Sequence, residues 1–182
     1  MADWKRVTEF FKIVGVLKRV SRKGWLKAGI RPESVADHVY RTTFLAMVYS
    51  DLKGLNSEKT MRMALLHDLP ETITGDLIPE EKTIESKEKE YAAMRKILSY
   101  LPQSLKRKYE EMWEEFEKNE SEEARIVKEL DKLEMVLQAF EYQAEGYEKE
   151  RLEEFWKDAK NAIKTPEIKR LYKILERQRI YH

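Results

Sequence analysis

An imidazole stands directly beside a carboxylate at His67-Asp68, behind the apolar run Ala64-Leu65-Leu66, and two further acids follow at Glu71 and Asp76. Groups able to bind a cation or carry a proton are thus crowded into a short stretch. On a helix, neighbouring residues diverge by about 100°, so His67 and Asp68 cannot form a clamp of the His-Glu-x-x-His kind. Both can still reach one ion off their shared edge. Glu71 lies three residues past Asp68 and four past His67, and returns to that face if the turn stays helical. Pro70 is tolerated where a helix is ending, and Gly75 turns the chain before Asp76. A plainer reading is also open: a helix end whose histidine is favoured by the dipole and whose acids face water.

The remaining histidines are His38 and His182. His38 closes the stretch Glu33-Ser34-Val35-Ala36-Asp37-His38, which supplies one half of a possible site. Asp131 borders an apolar stripe made by Ile126, Val127, Leu130, Leu133, Val136, Leu137 and Phe140, an edge that Glu134 and Gln138 continue. By itself it reads as a boundary carboxylate paired with Lys128 or Lys132. Beside two histidines and Asp68 it becomes a candidate ligand, because a carboxylate on an apolar helix is costly to bury unless it is paired or binds a cation.

The elements that must position these groups all carry helical periodicity. Asp3 caps a helix with Trp4, Val7, Phe10, Val14 and Leu17 on one side, broken at Ser21 to Trp25. Gly29 to Pro32 is a connecting loop. Ser34 and Asp37 form a capping-box-like start for the helix carrying His38, which Gly54 ends. Asn56-Ser57 opens the helix that runs to His67-Asp68. Leu77 to Pro79 is a loop and Glu81 to Ser86 a mobile charged segment. Helical spacing resumes from Tyr91 to Leu101, and Pro102 starts a helix carrying Trp113 and Phe116. Further helices cover Ala124 to about Gln143, Glu150 to Ile163 and, after Pro166, Glu167 to Ile180. No stretch alternates as a strand should. The fold class is all-α, a single domain over residues 1–182.

Composition narrows the function. Charged residues make up 38% of the 182, against about 25% in ordinary domains. The signs nearly cancel at +1, so no basic excess points to a nucleic acid polymer. No apolar run approaches the ~20 residues of a membrane span, no signal-peptide pattern opens the chain, and the expected compartment is the cytoplasm. Cysteine is absent, which leaves any metal to imidazole and carboxylate ligands.

His38, His67-Asp68 and Asp131, spread over successive helices, resemble the metal-binding set of the HD-domain metal-dependent phosphohydrolase superfamily. Glu-Ser-Val-Ala-Asp-His at 33–38, His-Asp-x-x-Glu at 67–71, Gly-Asp at 75–76 and Lys-x-x-Asp at 128–131 resemble in particular its 5′-deoxynucleotidases, the HD domain-containing protein 2 group. The likeness runs from about Val14 to Ile168. It implies an HD-domain helical bundle with the metal site between central helices. It implies His38, His67, Asp68 and Asp131 as ligands to one divalent ion (Mn²⁺, Co²⁺, Fe²⁺, Ni²⁺ or Zn²⁺), with Glu71 and Asp76 as catalytic acids. Arg22 would meet the phosphate and Trp25 the nucleoside, with Asp76 also at the substrate. Here two residues separate Arg22 from Trp25, whereas the bacterial form has the pair adjacent. A solvated loop arginine and a core tryptophan are the alternatives. The implied reaction is hydrolysis of deoxyribonucleoside 5′-monophosphates. The same metal site could serve a phosphodiesterase or nucleoside triphosphohydrolase. A non-catalytic metal-binding interaction module is the rival of another kind, although such a module would not need Glu71 and Asp76. Related nucleotidases form homodimers, and Phe140, Tyr142, Tyr147, Phe155 and Trp156 exceed what one compact core obviously needs, so a homodimer is expected.

Overall fold

Polar caps set the helix boundaries. In the structure, a computed structural model that describes residues 3–179, the Asp3 carboxylate accepts from the Lys5 and Arg6 amides and starts α1, Trp4–Val14. Those donors have no partner inside a helix, which is why an acceptor at this position is favoured. A 3₁₀ turn, Gly15–Arg19, follows. Then comes a short α2, Lys23–Lys27, in the segment read from sequence only as a break. The Ser34–Asp37 capping box opens α3, Val35–Lys53, and Gly54 ends it in the left-handed region. Asn56 caps α4, Ser57–Leu66. His182 and Ile180, the expected end of the last helix, lie outside the described residues.

Past Leu66 the chain tightens into successive i+3 turns, Leu69 to the Leu66 carbonyl and Glu71 to that of Asp68. Pro70, which has no amide hydrogen, sits within them. A single turn, α5 (Glu71–Thr74), precedes Gly75. Gly75 has φ 74° and ψ 167°, a region essentially reserved for glycine. The charged segment from Glu81 to Ser86 carries regular structure. Glu81 ends a 3₁₀ turn from Pro79 and pairs with Lys23 at 2.5 Å. Thr83 then caps α6, Ile84–Leu98, so this helix starts well before Tyr91. The remaining helices are α7 (Gln103–Lys118), α8 (Glu122–Ala144), α9 (Lys149–Ala162) and α10 (Pro166–Gln178).

Among the described residues there is no strand, only an isolated bridge between Ser21 and Ser34. The centre is α8, which packs on α3, α4, α7, α9 and α10. Val127, Leu130, Val136 and Ala139 of α8 are fully buried, each of the larger ones contributing about 1.5–3 kcal/mol. The apolar interior falls into two clusters. One gathers Met63, Ala64, Leu130 and Trp156, the other Val35, Val39, Leu66, Leu69 and Trp113. The chain segments bearing His38 and His67 run from one cluster to the other. The aromatic residues that suggested a spare surface are spent here: Tyr142 and Trp156 are buried, and Phe140, Tyr147 and Phe155 pack against the larger cluster. That argument for association therefore fails.

Candidate metal centre

His38 projects from the first turns of α3, His67-Asp68 from the tight turn after α4, and Asp131 from the middle of α8. The His38 Nε2 lies 3.3 Å from the His67 Nε2, 3.6 Å from an Asp68 oxygen and 3.0 Å from an Asp131 oxygen. His67 Nε2 is 3.1 Å from the same Asp68 oxygen. Ligand atoms about 2.0–2.2 Å from one ion stand roughly 3–3.5 Å apart, which is the spacing found. The donors of His38, His67 and Asp68 all lie within 4.8 Å of one another. Asp131 joins them through His38, while its other oxygen meets Lys132 at 3.0 Å. One carboxylate thus carries both the boundary pairing with Lys132 and a contact to His38.

Each ring is turned by its far nitrogen. The His67 Nδ1 faces the Ala64 carbonyl at 2.7 Å, and Trp113 of α7 donates to the His67 carbonyl at 3.2 Å. The His38 Nδ1 is hydrogen-bonded to Glu134. Sequence reasoning placed Glu134 on the edge of the α8 stripe and, with Met135, within the family resemblance, but gave it no role, although it lies one turn beyond Asp131. Arg41, one turn beyond His38, holds Glu134 in turn.

Burial drives the charged forms of these acids upward in energy, and their neighbours decide the outcome. For Asp68, burial is outweighed by the His67 and His38 imidazoles and by Arg22, and its pKa falls below the ordinary carboxylate range. Asp131 is likewise lowered against burial, by Lys132 and His38. Burial and then Arg22 push the His38 pKa down, but Glu134 and Asp131 overcome both and raise it to about 9. Glu71 goes the other way: burial, then Asp68 and Asp76, hold its carboxyl well above the ordinary value. One oxygen of Asp68 and one of Glu71 are buried with no hydrogen-bond partner. The orphaned Asp68 oxygen, anionic and beside two imidazole nitrogens, fits a divalent ion.

Arg22 reaches Asp68 and Asp76, each at 3.6 Å. Asp76 also accepts from the Lys23 amide, capping α2 from 53 residues away. Trp25 is only 1% exposed, covered by Phe155 with ring centroids 3.9 Å apart and by Tyr142 at 5.1 Å. It meets the surroundings of the site at an edge, and is otherwise a core residue. Two clefts meet at Asp68, Glu71 and Asp131. The larger, about 600 Å³, runs past His67, Trp113, Phe116 and Lys128. The smaller, about 280 Å³, runs past Arg22, Trp25 and Asp76. Lys82 and Lys132 border both, so the approach to the acids is lined with cations.

Known proteins share this architecture. The HD domain family model matches residues 14–171. The 5′-deoxynucleotidase HDDC2 of Homo sapiens is 40% identical over 178 residues, covering 96% of this chain and 87% of that protein. The 5′-deoxynucleotidase YGK1 of Saccharomyces cerevisiae is 36% identical, covering 88% of this chain and 77% of that protein. Among solved structures, the PH0347 protein from Pyrococcus horikoshii superimposes with a TM-score of 0.78 at 31% identity, over 93% of this chain and 96% of that one.

Proposed function

The chain belongs to the HD-domain family, and we propose that residues 1–182 form one metal-dependent 5′-deoxynucleotidase domain. It would hydrolyse deoxyribonucleoside 5′-monophosphates to deoxynucleoside and phosphate. The observation that carries this is the convergence of the His38, His67 and Asp68 donors within 4.8 Å of one another, with Asp131 3.0 Å from His38, in a chain about 40% identical to a protein named for that activity. Those four residues would hold one divalent transition ion, of the group Mn²⁺, Co²⁺, Fe²⁺, Ni²⁺ and Zn²⁺. Such an ion supplies Lewis-acid polarisation of the phosphoryl group and lowers the pKa of water.

The chain's own groups would do the rest. Arg22 offers a planar fork for phosphate oxygens, restrained by Asp68 and Asp76. As water adds to phosphorus and the bond to the 5′-oxygen breaks, that oxygen needs a proton. Glu71, whose carboxyl pKa is raised by burial and then by its acidic neighbours, would give it and recover one from the water. Asp76 keeps Arg22 and the start of α2 in place beside the substrate. We place the nucleoside in the larger cleft, because the Trp25 face on the other side is already covered by Phe155. Trp25 then serves as the wall behind Arg22.

Released phosphate, measured for deoxy- and ribonucleoside monophosphates across the five ions, tests the reading. Phosphate from the deoxy series is expected. Release of pyrophosphate or triphosphate from nucleoside triphosphates, with none from monophosphates, would replace it, and ion binding without any turnover would leave a binding module.

We also propose a cytoplasmic homodimer. No described helix is long and apolar enough to cross a membrane. The outer face of α3 presents Tyr40, Phe44, Val48 and Leu52 at four-residue steps, 67%, 48%, 51% and 79% exposed, a stripe suited to a second copy. Light scattering at micromolar concentration should give twice the chain mass, and Phe44→Glu should halve it. A monomer throughout would contradict this.

A further inference from the structure

Glu134 is a carboxylate with 0% exposure on the most buried helix of the fold. A charge in such a place is tolerated only when its partners are complete. It has three contacts of that kind, all from α3. One oxygen is bound to the His38 Nδ1. The other accepts from Arg41, at 2.9 Å from Nε and 2.8 Å from a terminal nitrogen. Arg41 does not rest on Glu134 alone. Its terminal nitrogens also reach the Gln138 side chain at 2.6 Å and Glu141 at 2.5 Å, so the guanidinium lies along three successive acceptors of α8.

The geometry has a simple origin. On α3, Arg41 follows His38 by three residues, and on α8, Glu134 follows Asp131 by three. Residues so spaced lie on one helix face. Where α3 meets α8, one turn of each helix brings His38 to Asp131, and the next brings Arg41 to Glu134. With the His38 Nδ1 engaged by Glu134, Nε2 is the nitrogen directed at His67, Asp68 and Asp131.

We propose that Glu134, locked by Arg41, is the positioning residue of the metal centre: it fixes the rotation and tautomer of His38 and thereby sets the affinity for the ion. This rests on the reading of His38 as a ligand. Carboxylates that hold the far nitrogen of a metal-bound histidine typically contribute 10–100-fold in affinity. A merely structural Glu134 would affect folding and leave affinity alone.

Titration with Co²⁺ by calorimetry and by its visible absorption separates these roles, with each variant's ion-free melting temperature measured alongside. Glu134→Ala is expected to bind Co²⁺ about 10–100-fold more weakly with an altered spectrum. Glu134→Gln keeps the shape and an acceptor without the charge, and should fall between Ala and wild type; it also serves if the Ala variant fails to fold. Arg41→Met should weaken binding in the wild-type background and add little to Glu134→Ala, as expected of residues acting through one another. His38→Ala is the reference for a lost ligand. If His38→Ala loses the ion while both Glu134 variants bind as wild type, the positioning role is overturned and the metal site stands. If wild type itself takes up no stoichiometric ion, the metal-site reading falls and this inference with it. Additive losses for Arg41→Met and Glu134→Ala would overturn the lock.

Discussion

Glu71 concentrates the conflict between stability and chemistry. Its carboxyl is buried and faced by Asp68 and Asp76, so its pKa lies well above the ordinary value. A carboxyl whose pKa is raised by folding contributes stability at low pH and loses it as pH rises through the folded value. Above the ordinary carboxylate range the ion-free fold is therefore weakened, because the unfolded chain releases a proton that folding makes Glu71 hold more tightly. Glu71→Gln removes the charge and keeps the shape. It should retain the ion, since two imidazoles and two carboxylates remain. Turnover should fall by the ~10²–10⁴-fold associated with a lost general acid or base. Ion-free melting at about pH 8 should be no lower than wild type, with the difference shrinking towards acid pH. Elemental analysis, phosphate release and melting curves on one preparation check all three. Loss of the ion would make Glu71 a ligand instead, and unchanged turnover would shift the proton role elsewhere.

At the level of elements, much was legible where the signal is local. Asp3, Ser34 and Asn56 cap the helices they precede because orphan amides need a nearby acceptor. The all-helical class followed from periodicity, and the candidate ligands from rare residue types. What was missed depends on contacts distant in sequence. The α2 helix is too short to announce itself, and its first amide is satisfied by Asp76 from another part of the chain. Glu134 meets His38 across 96 residues, and no local pattern marks a boundary acid as buried. The turn that starts at Pro79 likewise has distant partners, in the reach of Lys23 to Glu81 and of Lys27 to Glu80. Gly75 links these pieces, since its conformation delivers Asp76 to both Arg22 and α2. A Cβ there would meet nothing within 4 Å, so the cost of Gly75→Ala is backbone strain alone. That cost should be about 1–3 kcal/mol, read by denaturant unfolding, with phosphate turnover falling as Asp76 shifts. An unchanged midpoint would show that the turn relaxes without help from glycine.

For the whole molecule, the ion and the proton compete for the same place between α3, α8 and the turn after α4. Without an ion, His38 is held as an imidazolium among carboxylates, with its pKa raised to about 9. Raised above its unfolded value of about 6.5, it contributes stability that is full below that value and fades as pH rises through about 9. Asp68 and Asp131 are depressed, so their contribution is present above the ordinary carboxylate range and fades as pH falls. The ion-free fold is thus best served by these groups in mildly acid solution. An ion displaces the His38 proton, so its affinity rises with pH, by about tenfold per unit below the His38 value for one proton released. The stabilisation it gives, RT ln(1 + [L]/Kd), grows correspondingly by about 1.4 kcal/mol per pH unit at a fixed ion concentration well above Kd. Both trends come from the one His38 proton: between about pH 6.5 and 9 the ion-free protein loses what ion binding gains, so the loaded protein holds level while the ion-free one falls. The gap in melting temperature between Co²⁺-loaded and chelator-treated protein should therefore widen from about pH 6 to about pH 8.5. Differential scanning calorimetry of both forms across that range measures it directly. A gap that stays constant or narrows would mean that no proton leaves His38 when the ion binds.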